Sequence, residues 1–236
     1  MTSIESPEPA SLATEDWNSA RLRRLRVSEL FCSLQGEGSR SGLPTVFLRL
    51  TGCALRCRWC DTEWAFVGGE WQTNEQLEAA ILAYDVRRLC LTGGEPLLQP
   101  AAMPLLRRLK SEHHFDIVVE TGGDQDISIV PAGVIRVLDI KLQGSGMSER
   151  MDLRNIDRLE PHDEVKLVIA NRHDYEQARE WVLGALRSFR GEILFSPVAE
   201  EVEPASIAEW ILADRLPVRM QLQLHKLLWP GVEKGV

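Results

Sequence analysis

The 236-residue sequence predicts an α/β fold built on a mostly parallel sheet, and three observations lead there. From about Arg26 onward, short β-rich runs alternate with helical patterns, the signature of successive βα units. With 44% hydrophobic residues the chain can bury one substantial core, yet it is too short for a second full domain. Polar and glycine residues recur just after the strands, where parallel α/β barrels gather their active sites.

The opening stretch MTSIESPEPASLATEDWNSA mixes Ser, Pro and acids without apolar periodicity. It predicts a mobile extension over residues 1–25, ahead of a single catalytic domain over 26–236. Strands are expected at 45–51, 88–92, 115–120, 134–140, 164–169, 192–195 and 218–222. Between the first two lies TNEQLEAAILAY, where Thr73 and Gln76 form a capping-box pattern and Leu77, Ala80, Ile81 and Tyr84 make an apolar stripe, so a helix is expected. Further helices are expected at 102–112, at 173–186 behind an Asn171 cap, and at 205–213. The pattern at 149–158 decides for neither helix nor loop, and no internal repeat is present.

At the strand ends stand Thr51-Gly52-Cys53, Thr92-Gly93-Gly94-Glu95-Pro96, Glu120-Thr121-Gly122-Gly123 and Asp139-Ile140-Lys141. Asn171, Ser196-Pro197 and His225-Lys226 follow later strands. Any one of these fits an ordinary βα turn, but their joint position argues for one shared cleft.

The net charge of -8 disfavours an electrostatic footprint for nucleic acid, which needs clustered Lys and Arg, so a small-molecule substrate is expected. No stretch approaches the roughly twenty apolar residues of a membrane helix, and no basic-then-apolar signal opens the chain. Together these predict a soluble, cytoplasmic protein with no membrane partner.

Three of the five cysteines crowd into Cys53-Ala-Leu-Arg-Cys57-Arg-Trp-Cys60. That spacing is poor for disulfides and good for wrapping a compact iron–sulfur cube. Three ligands for four irons leave one iron open, and an open metal position can bind and activate a cofactor. A structural zinc site would need a fourth Cys or His, and no second pair stands at suitable spacing. Cys90, inside an apolar strand, reads as a packed core thiol, and Cys32 as ligand-free.

The CxxxCxxC loop after a strand and a glycine, together with Gly93-Gly94-Glu95-Pro96, resembles the radical S-adenosylmethionine (SAM) superfamily. The resemblance implies a [4Fe–4S] cluster on Cys53, Cys57 and Cys60, whose open iron chelates SAM. It also implies an incomplete (β/α) barrel with reduced helices, since this chain is short for the full barrel. Within the superfamily, Phe31-Cys32-Ser33-Leu34-Gln35-Gly36-Glu37-Gly38, Cys60-Asp61-Thr62, Ser196-Pro197-Val198 and Gln223-Leu224-His225-Lys226 resemble the 7-carboxy-7-deazaguanine synthases, enzymes of 7-deazapurine (queuosine) biosynthesis. That resemblance covers nearly everything after about Ser28.

It implies a ring contraction of 6-carboxy-5,6,7,8-tetrahydropterin to 7-carboxy-7-deazaguanine with loss of ammonia, begun when SAM yields a radical that takes hydrogen from C6. It assigns the pterin to Gln35, Gly36, Glu37, Gly38, Arg49, Thr92 and His225, with Glu37, Arg49 and His225 nearest the chemistry. SAM falls to Gly94, Glu95, Glu120, Lys141, Ser145 and Ser196, and Mg2+ to Thr62. A flavodoxin-like or other reductant and a homodimer are implied as well. Physically, Glu37 suits the amino and ring N–H groups of a pterin, Arg49 a substrate carboxylate, and Glu95 the SAM ammonium. Two features stand apart from the family pattern: Leu-Gln-Gly-Ser-Gly follows Lys141, and the carboxyl terminus runs on through Leu227-Leu228-Trp229-Pro230 to Val236. The rival readings are an activase for a glycyl-radical enzyme, which would act on a protein partner, and a non-catalytic metal or electron-carrier module.

Overall fold

The computed structural model describes residues 16–236. Nine strands form one sheet: β1 (Arg24–Leu34), β2 (Pro44–Leu50), β3 (Glu70–Thr73), β4 (Arg88–Gly93), β5 (Asp116–Thr121), β6 (Ile135–Ile140), β7 (Glu164–Ile169), β8 (Glu192–Pro197) and β9 (Arg219–Met220). Their order is 3-1-2-4-5-6-7-8-9. β2 and β4 to β9 run parallel, while β1 pairs antiparallel with both β2 and β3. Because β3 and β9 remain edges, the sheet curls without closing, which is the expected incomplete barrel.

The helices are few and short. α1 (Trp17–Ala20) opens the described chain, α2 (Asn74–Leu82) precedes β4, α3 (Met103–Ser111) precedes β5, α4 (Arg172–Leu183) precedes β8, α5 (Pro204–Asp214) precedes β9, and α6 (Leu224–Leu228) follows it. β5–β6 and β6–β7 are bridged by 3-10 turns alone, and the undecided stretch 149–158 falls into two of these turns. The capping box at Thr73 and Gln76 forms in full, and the Asn171 side chain accepts from the Asp174 N–H. Both caps fix where a helix leaves the sheet.

The strands expected from sequence match β2 and β4 to β9 to within a few residues, whereas β1 and β3 were unassigned. β1 escapes a period-2 reading because its register against β2 slips between Val27 and Glu29, a bulge that shifts the alternation midway. The expected extension over 1–25 also needs correction. Residues 1–15 lie outside the described residues, but Asp16 caps α1, Trp17 lies 4.9 Å beneath the Arg108 guanidinium, and Ala20 and Leu25 are fully buried. Residues 16–25 are therefore folded chain, tied down by the Asn74 amide donating to the Ala20 carbonyl.

Side-chain alternation positions the site. Leu48 and Leu50 point to the helix-covered core, and between them Arg49 faces a cavity. Val165, Leu167 and Ile169 likewise flank the cavity-facing Lys166. Cys90 is fully buried in β4, as a packed thiol should be. Among the described residues no helix is long and apolar enough to cross a membrane.

Candidate active site

A cavity of about 940 Å3 opens at the carboxyl ends of the parallel strands. That volume lies toward the upper end of small-molecule sites, which run ~300–1,000 Å3. It gathers residues from every part of the chain. The Cys53, Cys57 and Cys60 loop and Thr62 form one wall, with Gly94 beside them. Gln35, Gly36, Glu37 and His225 of α6 line the cavity as well, and Arg49, Thr92, Glu120 and Lys141 contribute from the strands.

The close approach of the cysteine loop to β4 depends on glycine. Glu95 N–H donates to the Gly52 carbonyl at 2.7 Å and Gly94 N–H to Leu50 at 3.1 Å. A Cβ at Gly94 would stand 2.2 Å from the Gly52 oxygen, so no other residue fits without displacing the loop. All three thiols are partly exposed to the cavity. Burial pushes the Cys53 and Cys57 thiols up, so it is ligation that would hold them as thiolates. Among the described residues no three Cys, His, Asp or Glu side chains converge as a single metal ion demands. Three sulfur donors on one cavity-lining loop are the donor set that a [4Fe–4S] cluster takes.

Charges of alternating sign run across the sheet face. Lys166 Nζ donates to Glu37 at 2.8 Å and lies 3.5 Å from Asp139, which also takes the Lys141 ammonium at 2.9 Å. Gln223 donates to the other Glu37 oxygen at 2.8 Å, and Gln221 adds a bond at 3.2 Å. Burial alone would raise the Glu37 carboxyl, but the charge and hydrogen bond of Lys166 with the Gln223 bond outweigh it and hold it at about 2. Burial lowers His225 despite the neighbouring Glu37, which keeps the imidazole neutral at pH 7. Its Nδ1 abuts Gly36, where a Cβ would come within 2.5 Å. Arg49 gives its Nε–H to Glu29 at 2.8 Å and lies 5.5 Å from the Trp64 ring. Glu120 accepts from Gln35 at 3.3 Å and Thr92 at 3.0 Å, joining three expected contacts in one chain of bonds.

Four expected site residues stand elsewhere. Glu95 is fully buried under the cavity floor, with its oxygens taken by the Leu97 and Gly122 N–H groups and the Thr121 hydroxyl. It ties the end of β4 to the end of β5, and burial raises its carboxyl to about 7. The Ser145 hydroxyl donates to the Leu142 carbonyl inside its own turn. Ser196 is buried in β8, where the following Pro197 and Val198 reach the cavity in its place. Gly38, at φ +74°, is buried beside Glu164 and gives its N–H to Gln221, so it shapes the wall from behind.

Sequence reading missed Lys166, Glu29 and Trp64, and it gave Asp139 and Gln223 no role of their own though it placed both in cleft motifs. Lys166 stands between apolar Val165 and Leu167 as Arg49 stands between Leu48 and Leu50, so a usable signal was present there. Residues 229–233 and Val236 also line the cavity, so the long carboxyl terminus does form part of its wall.

An open α/β barrel with a three-cysteine loop and a glycine-rich strand end at its mouth defines the class, and the Radical SAM superfamily profile matches residues 48–192. Relatives named 7-carboxy-7-deazaguanine synthase match far beyond that span. The protein from Koribacter versatilis is 37% identical over 227 residues, covering 90% of this chain and all of its own. That from Chlorobaculum tepidum is 41% identical, covering 90% of this chain and 97% of its own. The crystal structure of QueE from Escherichia coli superposes with a TM-score of 0.75 over 90% of this chain at 23% identity, a likeness of fold. The chain belongs to the 7-carboxy-7-deazaguanine synthase family of radical SAM enzymes. This sets aside the zinc, electron-carrier and activase readings.

Proposed function

We propose that this protein converts 6-carboxy-5,6,7,8-tetrahydropterin to 7-carboxy-7-deazaguanine with release of ammonia. One observation carries the reading: a carboxylate pinned in its ionised form, Glu37, lines the same cavity as the three-cysteine loop. When bound, the cluster and SAM supply the one-electron cleavage that starts the chemistry. The chain's own residues hold the substrate for it.

Glu37 stays charged through the working pH range and accepts from the amino and ring N–H groups of the pterin, which a neutral carboxyl could not do as well. Arg49, steadied at Nε by Glu29, offers its terminal nitrogens to the substrate carboxylate as a bidentate fork. Neutral His225 packs on Gly36 and closes the same wall. On the SAM side, Gly94 permits backbone approach, while Glu120 and Lys141 supply opposite charges for the methionine end and ribose. Thr62, its hydroxyl 3.8 Å from the Cys60 sulfur, would offer one hard oxygen to a bound Mg2+, which would supply charge neutralisation for the substrate carboxylate. A cytoplasmic setting, a flavodoxin-like reductant and a homodimer complete the reading.

The test is an anaerobic assay of reconstituted protein with SAM, Mg2+, a reductant and the pterin, with mass detection of the deazapurine. Cys57→Ala should abolish product, and Glu37→Ala should leave SAM cleavage running without it. An iron-loaded protein that cleaves SAM yet never forms the deazapurine overturns the substrate assignment.

A further inference from the structure

We propose that Glu29 is a positioning residue that links the carboxyl-terminal segment to Arg49, so that the segment's closure over the cavity and the aim of the guanidinium are set together. The inference rests on the function proposed above for the substrate it names. Its support is geometric. Glu29 Oε1 accepts the Arg49 Nε–H at 2.8 Å, and its other oxygen accepts the Gly235 N–H at 3.3 Å. Both ion-pair side chains are about one-seventh exposed, 14% for Arg49 and 15% for Glu29, so the bond is sheltered from water that would weaken it.

The local backbone puts Glu29 there. The register slip between Val27 and Glu29 places Ser28 as the extra residue, its hydroxyl bonded to Thr51 at 2.6 Å, and brings Glu29 directly opposite Arg49 across the β1–β2 ladder. Bulges of this kind beside active sites re-aim a side chain. The same tail is gripped a second time. Lys234 Nζ lies 4.3 Å from the centre of the Trp64 ring, whose other neighbour is the Arg49 guanidinium, and Trp64 Nε1 is buried without a partner. Arg49 is thus held by a carboxylate and a ring that each also hold the tail.

A single carboxylate bridging two donors makes their positions interdependent. Losing the Gly235 contact frees Glu29 to turn, and losing Glu29 frees both the fork and the tail. A merely structural Glu29 would instead lower stability while leaving substrate affinity and tail exposure independent of each other.

The experiment compares Glu29→Gln, which keeps the shape but can accept through only one oxygen, with deletion of Gly235 and Val236, and with the two combined. Each single variant should raise KM for the pterin about tenfold, the size of a lost charge-assisted hydrogen bond, with kcat changed far less. The combined variant should be no worse than either alone, because the two changes break one linkage. In parallel, Glu29→Gln should speed trimming of the carboxyl terminus by a carboxypeptidase, read by mass. An unchanged KM in Glu29→Gln, effects that multiply in the combined variant, or unaltered trimming overturns the linkage. A wild-type enzyme inert toward the pterin overturns the proposed function instead, and the trimming assay still decides the linkage.

Discussion

Replacing Lys166 with Met removes the cation on which the cavity's charge balance turns. Its ammonium lies 2.8 Å from Glu37 and 3.5 Å from Asp139, and all three side chains are no more than 14% exposed. Taking one partner from such a buried pair costs ~3–5 kcal/mol, because a charge is left in low dielectric without compensation. For a chain of this length that lowers Tm by roughly 6–20 °C at pH 7. The pH dependence identifies the cause. In the wild type Glu37 is held at about 2, below its ordinary 4.5, so its contribution is present above pH 4.5 and lost only as pH falls toward 2. Lys166 is raised well above 10.5, so its contribution is constant over the range of the measurement. In the variant, burial, the largest single influence on Glu37, is opposed only by the glutamine bonds and His225, so the carboxyl rises, takes up a proton more readily in acid, and the unpaired charge disappears. The Tm gap measured anaerobically should therefore narrow from pH 7 to pH 5. A gap of a degree or two at pH 7, or one that widens with acid, refutes the account.

Two further outcomes follow from the cavity floor. Gly94→Ala should fold but load much less iron, since its Cβ meets the Gly52 carbonyl at 2.2 Å and must push the cysteine loop away; iron per chain after reconstitution checks this, and full loading would contradict it. Glu95→Gln should flatten the pH profile of stability. Because burial raises Glu95 to about 7, the wild type is favoured below pH 4.5 and loses that advantage as pH rises through 7, by about 3 kcal/mol. The amide cannot titrate but accepts through one oxygen only, so the variant should be weaker than wild type at pH 5 and close to it at pH 8 in urea unfolding.

How much of this was legible in the sequence depended on whether a residue's type or its direction mattered. The cysteine loop and the glycines were readable because three sulfurs at that spacing and a backbone without Cβ do chemistry that other residues cannot. Arg49 was readable because Leu48 and Leu50 fix its face. Ser196 was named from the resemblance alone, since Leu194, Phe195 and Ser196 are all buried in β8 and alternation carries no signal there. Glu95 was named from the resemblance, and its burial beneath the cavity follows from Gly93, which at φ +136° turns the chain out of the strand, a backbone feature the motif does not display. Glu29 lay beyond a bulge, and Gln223 acts across nearly two hundred residues of chain, which no local pattern encodes.

The register of the sheet is what turns these separate side chains into a site. Arg49 stands beside Thr92 in the β2–β4 ladder, and Asp139 beside Lys166 in the β6–β7 ladder. Because strand side chains alternate with a period of two, slipping either ladder by one residue would turn a whole set of polar groups into the core and its leucines into the cavity. Burial of Leu48, Leu50, Val165 and Leu167 therefore does two things at once: it stabilises the sheet and it forbids every register but the one that faces Arg49 and Lys166 inward. A barrel with so few helices can hold a polar, charge-balanced cavity for this reason, since the same apolar rows that pack into the core also fix where each charge must stand.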